Sequence, residues 1–421
     1  MSKLLEKYQE QYNPYVKFID SYRKASNAAS GSEVDSNANV ENKNITTLQG
    51  ELNKKEIIGT NRTLMIEKLT ELYGEETAKE YIHQLEAHEI YKHDETSIMP
   101  YCVSITMYPF LFDGLTNIGG LSMAPNNLDS FCGSFVNLVF AIASQFAGAV
   151  STPEFLMYMD YFIRKEYGND YYLKPDSIVS AIGRKRTIHS VIHDKFSQVV
   201  YSLNQPAAAR NFQSVFWNIA YFDQPYFNGM FEDFVFPDGS EPCWDSVNWL
   251  QKDFMKWFNA ERLKTATSFL SFPVETVNLL DNGTDYVDKE WKDFTAQMWA
   301  EGHSFFCYRS NSVDSLASCC RLRNEIQENT FSFTLGAGGV STGSKGVITI
   351  NINRLVQNVY KKNPHATLKD ISKAVREQTH KVHCYLTAFN EIMKDNFKAK
   401  MLPVYDAGYI ALEKQYLSLG M

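Results

Sequence analysis

The sequence predicts an α/β protein, in which residues from about 90 to 421 form one barrel-like body. Over this range, short β-rich segments alternate with long helical segments. Parallel strands need long return connections, so strands that are separated by helices indicate parallel pairing. The predicted strands are Tyr101–Met107, Ser214–Ile219, Ser271–Val277, Ser304–Cys307 and Gly346–Ile352. The predicted helices are Leu128–Ala147, Thr152–Tyr167, Ser177–Leu203, Trp244–Lys264, Lys289–Glu301, Arg354–Asn363 and Leu368–Asp395.

The region before this body is predicted to be helical, with one linker. Residues 1–24 have the hydrophobic spacing of a short amphipathic helix. Residues 25–47 are rich in Ser and Asn and poor in apolar residues, which is typical of a linker. A further helix is expected to be capped by Thr60-Asn61 and to end at Gly74, and a second helix should cover Glu75 to His88.

Composition excludes several classes of protein. The chain has 421 residues, and 41 Lys and Arg against 49 Asp and Glu give a net charge of −8, which argues against a duplex nucleic-acid binder. A hydrophobic content of 44% is sufficient for a large core and excludes global disorder. The longest apolar stretch, Phe135 to Val150, is too short and too polar to span a membrane. With no signal-peptide core at the start, a cytoplasmic, reducing compartment is expected.

The cysteines and histidines give few local signals. The chain has 7 cysteines and no C-x-x-C pair, so no zinc ribbon is encoded. Cys319 and Cys320 are adjacent in a predicted loop with two nearby arginines, which is consistent either with a buried pair or with a reactive thiol. Cys102 lies in an apolar strand, where a lone cysteine is usually a core residue. The histidines are not expected to form a ligand set, although His380 and His383 lie three residues apart.

A glycine-rich segment, Leu335 to Gly346, precedes the last predicted strand. Its glycines would let backbone N–H groups approach a ligand closely. The segment nearly matches a P-loop, but Ser344-Lys345 reverses the required Lys-Ser order. It also lacks the third glycine of a dinucleotide fingerprint, and a strand follows it where both motifs need a helix. Taken alone, it is read as a flexible hairpin.

Together these segments resemble the anaerobic (class III) ribonucleoside-triphosphate reductases. The most specific part is Ser-Cys-Cys-Arg-Leu followed by Gly-Ala-Gly-Gly-Val-Ser-Thr-Gly-Ser-Lys-Gly-Val-Ile-Thr-Ile-Asn-Ile-Asn-Arg, which lies within residues 318–354. The likeness extends to Ser36–Val40, to Asn61–Asp94 and to Arg210–Asn218. The resemblance implies a ten-stranded α/β barrel of the glycyl-radical/ribonucleotide reductase type, built from two five-stranded halves and possibly incomplete at the C-terminus. It also implies an N-terminal helix and Asn/Ser-rich arm at 1–58, the barrel at 59–421, and a central finger loop at about 308–331.

The resemblance also assigns roles to individual residues. Cys320 would carry the thiyl radical that abstracts the ribose 3′ hydrogen, and Cys102 would be its reducing partner on the first barrel strand. Substrate contacts are expected from Ser344, Asn351, Gly338, Gly339 and Cys319. The formate-using branch places an Asn in the strand after the finger. Here that stretch reads Ser344-Lys345-Gly346, which favours a redoxin over formate as the reductant.

Further components follow from the resemblance. No cofactor is expected within this chain itself, and the glycyl radical and a zinc ion are expected from the family's C-terminal segment. Ribonucleoside triphosphates would be the substrates, ATP and deoxynucleoside triphosphates the effectors, and an iron–sulfur radical SAM enzyme the activator. The subunit is expected to be a homodimer that binds neither nucleic acid nor membrane. The alternatives are another glycyl-radical enzyme, such as a pyruvate formate-lyase relative, and a non-catalytic nucleotide-binding fragment.

Overall fold

The computed structural model describes residues 3–34, 42–181, 183–206, 213–264, 270–313, 315–319, 322–325, 340–411 and 415–420. The strands are β1 (Ile90–Lys92), β2 (Cys102–Ser104), β3 (Val150–Ser151), β4 (Ile178–Ala181), β5 (Arg184–Thr187), β6 (Trp217–Phe222), β7 (Val274–Leu280), β8 (Phe306–Ser310), β9 (Ser315–Cys319), β10 (Leu322–Glu325), β11 (Thr342–Ile350) and β12 (Gln415–Gly420). The longer helices are α1 (Lys3–Lys24), α2 (Ile45–Tyr73), α3 (Glu75–Glu86), α5 (Leu128–Ala143), α6 (Phe155–Tyr167), α7 (Ile188–Asn204), α9 (Trp244–Lys264), α10 (Lys289–Ala300), α11 (Ile352–Lys362) and α12 (Leu368–Lys398). The short helices are α4 (Tyr108–Asp113), α8 (Gln224–Phe231) and α13 (Pro403–Asp406).

The central feature is a curled, mixed sheet of eight strands. Strands β2, β3, β6, β7 and β8 are neighbours in that order and are all parallel, which confirms the prediction of parallel pairing. The polarity reverses where β11 pairs with β2 in the antiparallel sense. Strand β12 runs parallel to β11 on its other side, and β1 is antiparallel to β11. The described strands thus form one five-stranded parallel half and the start of a second half of opposite direction.

Two hydrophobic clusters hold the layers together. The larger one lies between the parallel strands and the helices that connect them. Within it, the buried Trp217 ring makes edge-to-face contacts with Phe135 and Phe155. The smaller one packs α2, α3 and α12 against β11, with Leu69, Tyr81, Ile348, Tyr385 and Phe389 buried. Burial of an aromatic or aliphatic side chain contributes about 1.5–3 kcal/mol, so these clusters dominate the stability of the fold. No helix in the described part of the chain is long and apolar enough to cross a membrane.

The helix that was expected to be capped by Thr60-Asn61 begins earlier, so that prediction is wrong. Asn44 caps α2 by accepting the Thr47 N–H at 3.0 Å, while the Thr47 hydroxyl accepts the Asn44 N–H at 2.9 Å. Asn61 is instead buried in mid-helix, and its amide donates to the carbonyls of Glu95 and Ser97. The expected boundary between residues 58 and 59 therefore falls inside α2, whereas the predicted end at Gly74 is confirmed.

The predicted helix Ser177–Leu203 is wrong in its first third. That part forms the antiparallel hairpin β4–β5, and Gly183 stands near its turn with a φ of +68°. Helix α7 begins only at Ile188, where the Thr187 hydroxyl accepts the Ser190 N–H at 3.1 Å. The hydrophobic spacing from Ile188 onward correctly predicts a helix, but helical periodicity does not indicate where a glycine allows the chain to reverse direction.

Candidate active site

Cys102 and Ser344 face each other at the point where the sheet changes direction. Cys102 is the first residue of β2, and its register partner on the antiparallel strand β11 is Ser344. Residues directly opposite each other in such a pair have Cα atoms about 5 Å apart and side chains on the same face. Cys102 is 6% exposed and Ser344 1%. The structure therefore brings together two of the residues that were singled out from the sequence, in a setting that excludes water.

A row of buried polar residues crosses the sheet beside this pair. The register connects Thr342 on β11 with Ser104 on β2, then with Ser151 on β3 and with Asn218 on β6. All four are at most 1% exposed. Register partners share a face, and alternate residues along a strand share it too, so this row lies on the same face as Cys102 and Ser344.

The opposite face of the same strands is apolar. Val103, Val150 and Trp217 alternate with the polar residues and belong to the helix-side core. The polar row therefore lies on the face of the sheet that the connecting helices do not cover. A polar strip of this kind is unusual in a parallel sheet, whose central strands are normally hydrophobic on both sides, and it marks the face where a polar ligand can bind.

Asn218 has the most unusual environment in the row. Its side chain is 0% exposed, yet neither Oδ1 nor Nδ2 has a hydrogen-bond partner among the described residues. A buried polar group without a partner costs about 1–3 kcal/mol, so such a group in a native protein points to a ligand or a water molecule. Asn218 is the last residue of the segment Arg210–Asn218, which resembles the family, but the resemblance assigns no role to its side chain. The available signal was a single Asn between Trp217 and Ile219 in an otherwise apolar strand.

The backbone next to Cys102 is tightly fitted. The Ala149 N–H donates to the Cys102 Sγ at 3.3 Å. A Cβ atom on Gly148 would lie 2.6 Å from that sulfur and 2.8 Å from the Tyr101 carbonyl oxygen. Gly148 therefore allows the chain before β3 to approach the thiol, and a larger residue would displace one of the two.

The segment that was expected to form the finger loop contains a hairpin. Strands β9 and β10 pair in the antiparallel sense, with Cys319 opposite Leu322, and β9 contacts β6 and β7. Strand β9 thus lies beside the parallel half of the sheet. Cys320, Gly338 and Gly339 lie outside the described residues, and only the backbone of Cys319 is described.

Asn351 is not part of this cluster. It follows the far end of β11, and its side chain accepts the Arg354 N–H at 3.0 Å and donates to the His88 carbonyl at 3.0 Å. It therefore caps α11, in the wall of a separate cavity of about 600 Å³ that Arg62 and Lys92 also line. Seven residues along a strand span ~23 Å, so Asn351 is too far from Ser344 to share one small ligand with it.

Two buried carboxyl groups, one next to a parallel strand and one within another, have raised pKa values. Glu154, which follows β3, accepts the Met107 N–H at 2.7 Å, and burial raises its pKa to about 8. Glu275 on β7 accepts the Tyr221 hydroxyl at 2.5 Å, and burial raises its pKa to about 8 as well. Both groups are therefore mostly protonated at neutral pH, and the sheet holds less charge than its sequence suggests.

The structure brings together two histidines and an aspartate that the sequence did not link. His189 and His193 on α7 and Asp253 on α9 bring three potential metal-ligand atoms within 4.8 Å of one another. Spacing along the sequence can relate only the two histidines to each other. Asp253 is 60 residues from His193 and lies beside it only because the two helices pack together. The pair at His380 and His383 is not completed by a third ligand among the described residues.

Comparison with known proteins agrees with this architecture. The family model of the anaerobic ribonucleoside-triphosphate reductases matches residues 51–421. No curated protein sequence matches the chain. The crystal structure of the anaerobic ribonucleotide reductase from Thermotoga maritima with citrate in the active site is 26% identical, with a TM-score of 0.73 over 89% of this chain and 64% of that one.

Two further solved structures match the whole chain. The Thermotoga maritima enzyme in complex with dATP and CTP is 25% identical, with a TM-score of 0.76 over 100% of this chain and 65% of that one. A structure described as an anaerobic ribonucleotide reductase is 26% identical, with a TM-score of 0.76 over 100% of this chain and 63% of that one. The chain thus spans less than two thirds of the length of each of these relatives. On the match over residues 51–421, the chain belongs to the anaerobic ribonucleoside-triphosphate reductase family.

Proposed function

We propose that this chain is a catalytic subunit that reduces ribonucleoside triphosphates to deoxyribonucleoside triphosphates for DNA synthesis and repair. The observation that carries the proposal is the buried pair of Cys102 and Ser344 beside a row of polar residues, in a chain of this family. Reduction of a ribose needs a thiol that can give up hydrogen and polar groups that hold the sugar hydroxyls. Both are present on one face of the sheet.

In this proposal the two thiols have different roles. Cys320 as a thiyl radical takes the hydrogen from the ribose 3′ carbon, and the 2′ hydroxyl then leaves as water. Cys102 supplies a hydrogen to the 2′ carbon of the resulting intermediate, and the disulfide-type link that forms between Cys102 and Cys320 gives a second electron and a proton to the 3′ ketone. The reductant then returns both cysteines to thiols, and Cys320 gives a hydrogen back to the 3′ carbon and is again a thiyl radical. Over one turnover an external reductant supplies two electrons and two protons, which balance the loss of one water molecule. Exclusion of water, as seen at Cys102, protects radical intermediates from side reactions.

The substrate contacts that we propose combine sequence and structure. Ser344, Gly338, Gly339 and Cys319 keep the roles that the resemblance gives them. Asn218 joins them, because its unpartnered amide can both donate to and accept from a hydroxyl. Asn351 is left out, since its side chain already caps α11.

The partners and cofactors are part of the same proposal. The relative solved with dATP and CTP supports nucleotides as substrate and effector. A radical SAM activating enzyme, a redoxin or formate as reductant, and a homodimeric assembly are proposed from the family resemblance. The group that the structure brings together, His189, His193 and Asp253, contains no cysteine, so the described residues do not fit the family's cysteine-ligated zinc. We assign neither that zinc nor the glycyl radical to a described residue.

An anaerobic reconstitution tests the proposal. The chain is mixed with the family's radical-bearing C-terminal segment, an iron–sulfur activating enzyme, a redoxin and each of the four ribonucleoside triphosphates, and deoxynucleotides are measured by mass spectrometry. Cys102→Ser and Cys320→Ser should each abolish product, whereas Cys384→Ser, at a half-buried cysteine on α12 that lies in neither β2 nor β11, should leave turnover unchanged. Product formation by Cys320→Ser would refute its assigned role.

The non-catalytic alternative predicts a different pattern. A nucleotide-binding fragment would show a thermal shift with nucleoside triphosphates but no deoxynucleotide in the complete mixture, because binding to the native state alone raises the melting temperature. A pyruvate formate-lyase relative would respond to small 2-oxo acids instead. The family match does not favour either alternative.

A further inference from the structure

Two helices on the outer side of the parallel half are joined by three polar side chains. His189 and His193 lie four residues apart on α7, so they project from the same face of that helix. Asp253 on α9 lies between them, with its Oδ1 at 2.9 Å from the His189 Nε2 and its Oδ2 at 3.0 Å from the His193 Nε2. The two imidazole rings are 4.1 Å apart between centroids.

The donor set has the chemistry of a transition-metal site. Two imidazole nitrogens and one carboxylate oxygen all lie within 4.8 Å of one another, and small side-chain rotations would bring them to one ion. Zinc takes nitrogen ligands at about 2.0–2.1 Å and carboxylate oxygens at about 2.0–2.2 Å, and with three protein ligands it keeps a fourth position for water. Oxygen-preferring ions such as calcium and magnesium would not favour two imidazoles.

The surroundings leave the group accessible and leave its carboxylate uncommitted to a cation. The side chains are 37% (His189), 31% (His193) and 16% (Asp253) exposed, so an ion can enter from solvent. Within the described ranges, Asp253 is hydrogen-bonded to the two histidines and forms an ion pair with no Lys or Arg. The nearby carboxylate of Glu261 is already paired with Lys264.

Aromatic rings form the other wall of the group. Trp249 lies 5.7 Å from the His189 ring, and Trp257 lies 6.3 Å from the His193 ring, centroid to centroid. Such rings hold the imidazoles in place and lower the local polarity, which strengthens the attraction between a cation and a carboxylate. They also place two fluorescent side chains next to the group, which supplies a direct readout of binding.

We propose that His189, His193 and Asp253 form a site for one divalent transition-metal ion, preferably zinc, that ties α7 to α9. The site lies on the helix side of the sheet, whereas Cys102 and Ser344 lie on the other face, so it takes no part in the radical chemistry. Its effect is structural: the ion replaces two hydrogen bonds with three coordination bonds between α7 and α9. The proposal is independent of the activity proposed above.

A metal titration of the full chain tests this site. The protein is treated with a chelator, its accessible thiols are alkylated so that cysteines do not compete, and Zn²⁺ is added in a calorimeter. One equivalent should bind with saturation, and the melting temperature should rise. Co²⁺, which is paramagnetic, should quench part of the tryptophan emission at the same stoichiometry, because Trp249 and Trp257 lie beside the ligands.

Variants decide whether the three residues are the ligands. His193→Ala and the near-isosteric Asp253→Asn should each weaken Zn²⁺ binding at least ~10–100-fold, as loss of even an outer-shell partner does elsewhere. The matched control is His380→Ala with His383→Ala on α12, which should bind zinc like the wild type. Absence of one-to-one binding would overturn the proposal. So would variants that lower the melting temperature without zinc but keep its zinc response, since the three side chains would then be only a hydrogen-bonded bridge.

Discussion

Replacement of Glu275 by Gln should remove part of the pH dependence of stability. Glu275 is 1% exposed on β7, its Oε1 accepts the Tyr221 hydroxyl, and its Oε2 has no partner among the described side chains. Burial raises its pKa from the usual 4.5 to about 8. Gln keeps the shape and the acceptor for Tyr221 but cannot ionise.

The sign follows from proton binding. Between pH 4.5 and 8 the folded protein holds a proton on Glu275 that the unfolded chain releases. The contribution of this group to the free energy of unfolding is therefore full below pH 4.5 and falls as the pH rises towards 8. Each pH unit corresponds to about 1.4 kcal/mol, so the wild type should lose up to ~4 kcal/mol relative to Glu275→Gln between pH 5 and pH 8. Glu154 contributes in the same direction but is present in both proteins, so the difference isolates Glu275.

The assay is denaturant unfolding of both proteins at pH 5, 6, 7 and 8, followed by tryptophan fluorescence and circular dichroism. The stability of the variant relative to the wild type should increase steadily across this range. Glu67→Gln, at an exposed position of α2, serves as the control and should parallel the wild type. A difference between Glu275→Gln and the wild type that stays constant with pH would refute the argument, because it would show that Glu275 is ionised in the folded protein.

Three further predictions concern single side chains. Arg164→Met should lower the free energy of unfolding by about 3–5 kcal/mol, because the fully buried Asp160 carboxylate loses the guanidinium that lies 2.7 Å away. A loss under ~1 kcal/mol in urea unfolding would contradict this. Gly148→Ala should lower nucleotide reduction by about 100-fold in the anaerobic assay, because its Cβ would displace the thiol on β2, while Gly133→Ala, with no atom in the way of its Cβ, should be neutral. Burial raises the pKa of Cys132 to about 12, so iodoacetamide at pH 8 should label this thiol only after unfolding; labelling of the native protein, seen by peptide mass, would show that it is accessible.

Much of the sheet followed from the sequence, because hydrophobic runs and their separation report local structure. The strand predicted at Gly346–Ile352 overlaps β11, and the helix predicted at Trp244–Lys264 has the observed ends. The predicted ends of strands and helices were less accurate where pairing with a distant segment determines them. Strand β11 begins at Thr342 because its first residues pair with β2, which a local pattern does not show.

The candidate site was only partly predictable for the same reason. Cys102 was found through resemblance, but its partner across the sheet is set by the register of two strands more than 200 residues apart. Asn218 was missed because an Asn in a strand motif becomes informative only when its side chain is known to be buried without a partner. His189, His193 and Asp253 were missed because the third member comes from a different helix.

Strand β11 belongs to two parts of the molecule at once. Near its start Ser344 faces Cys102, and at its end Ile350 pairs with Ile90 on β1, beneath the cluster formed by α2, α3 and α12. Because side chains alternate along a strand, a slip of one residue would turn Ser344 to the wrong side and bring Lys345 opposite the thiol. The helices that pack against the end of β11 therefore help to fix its register and, with it, the position of Ser344 opposite Cys102.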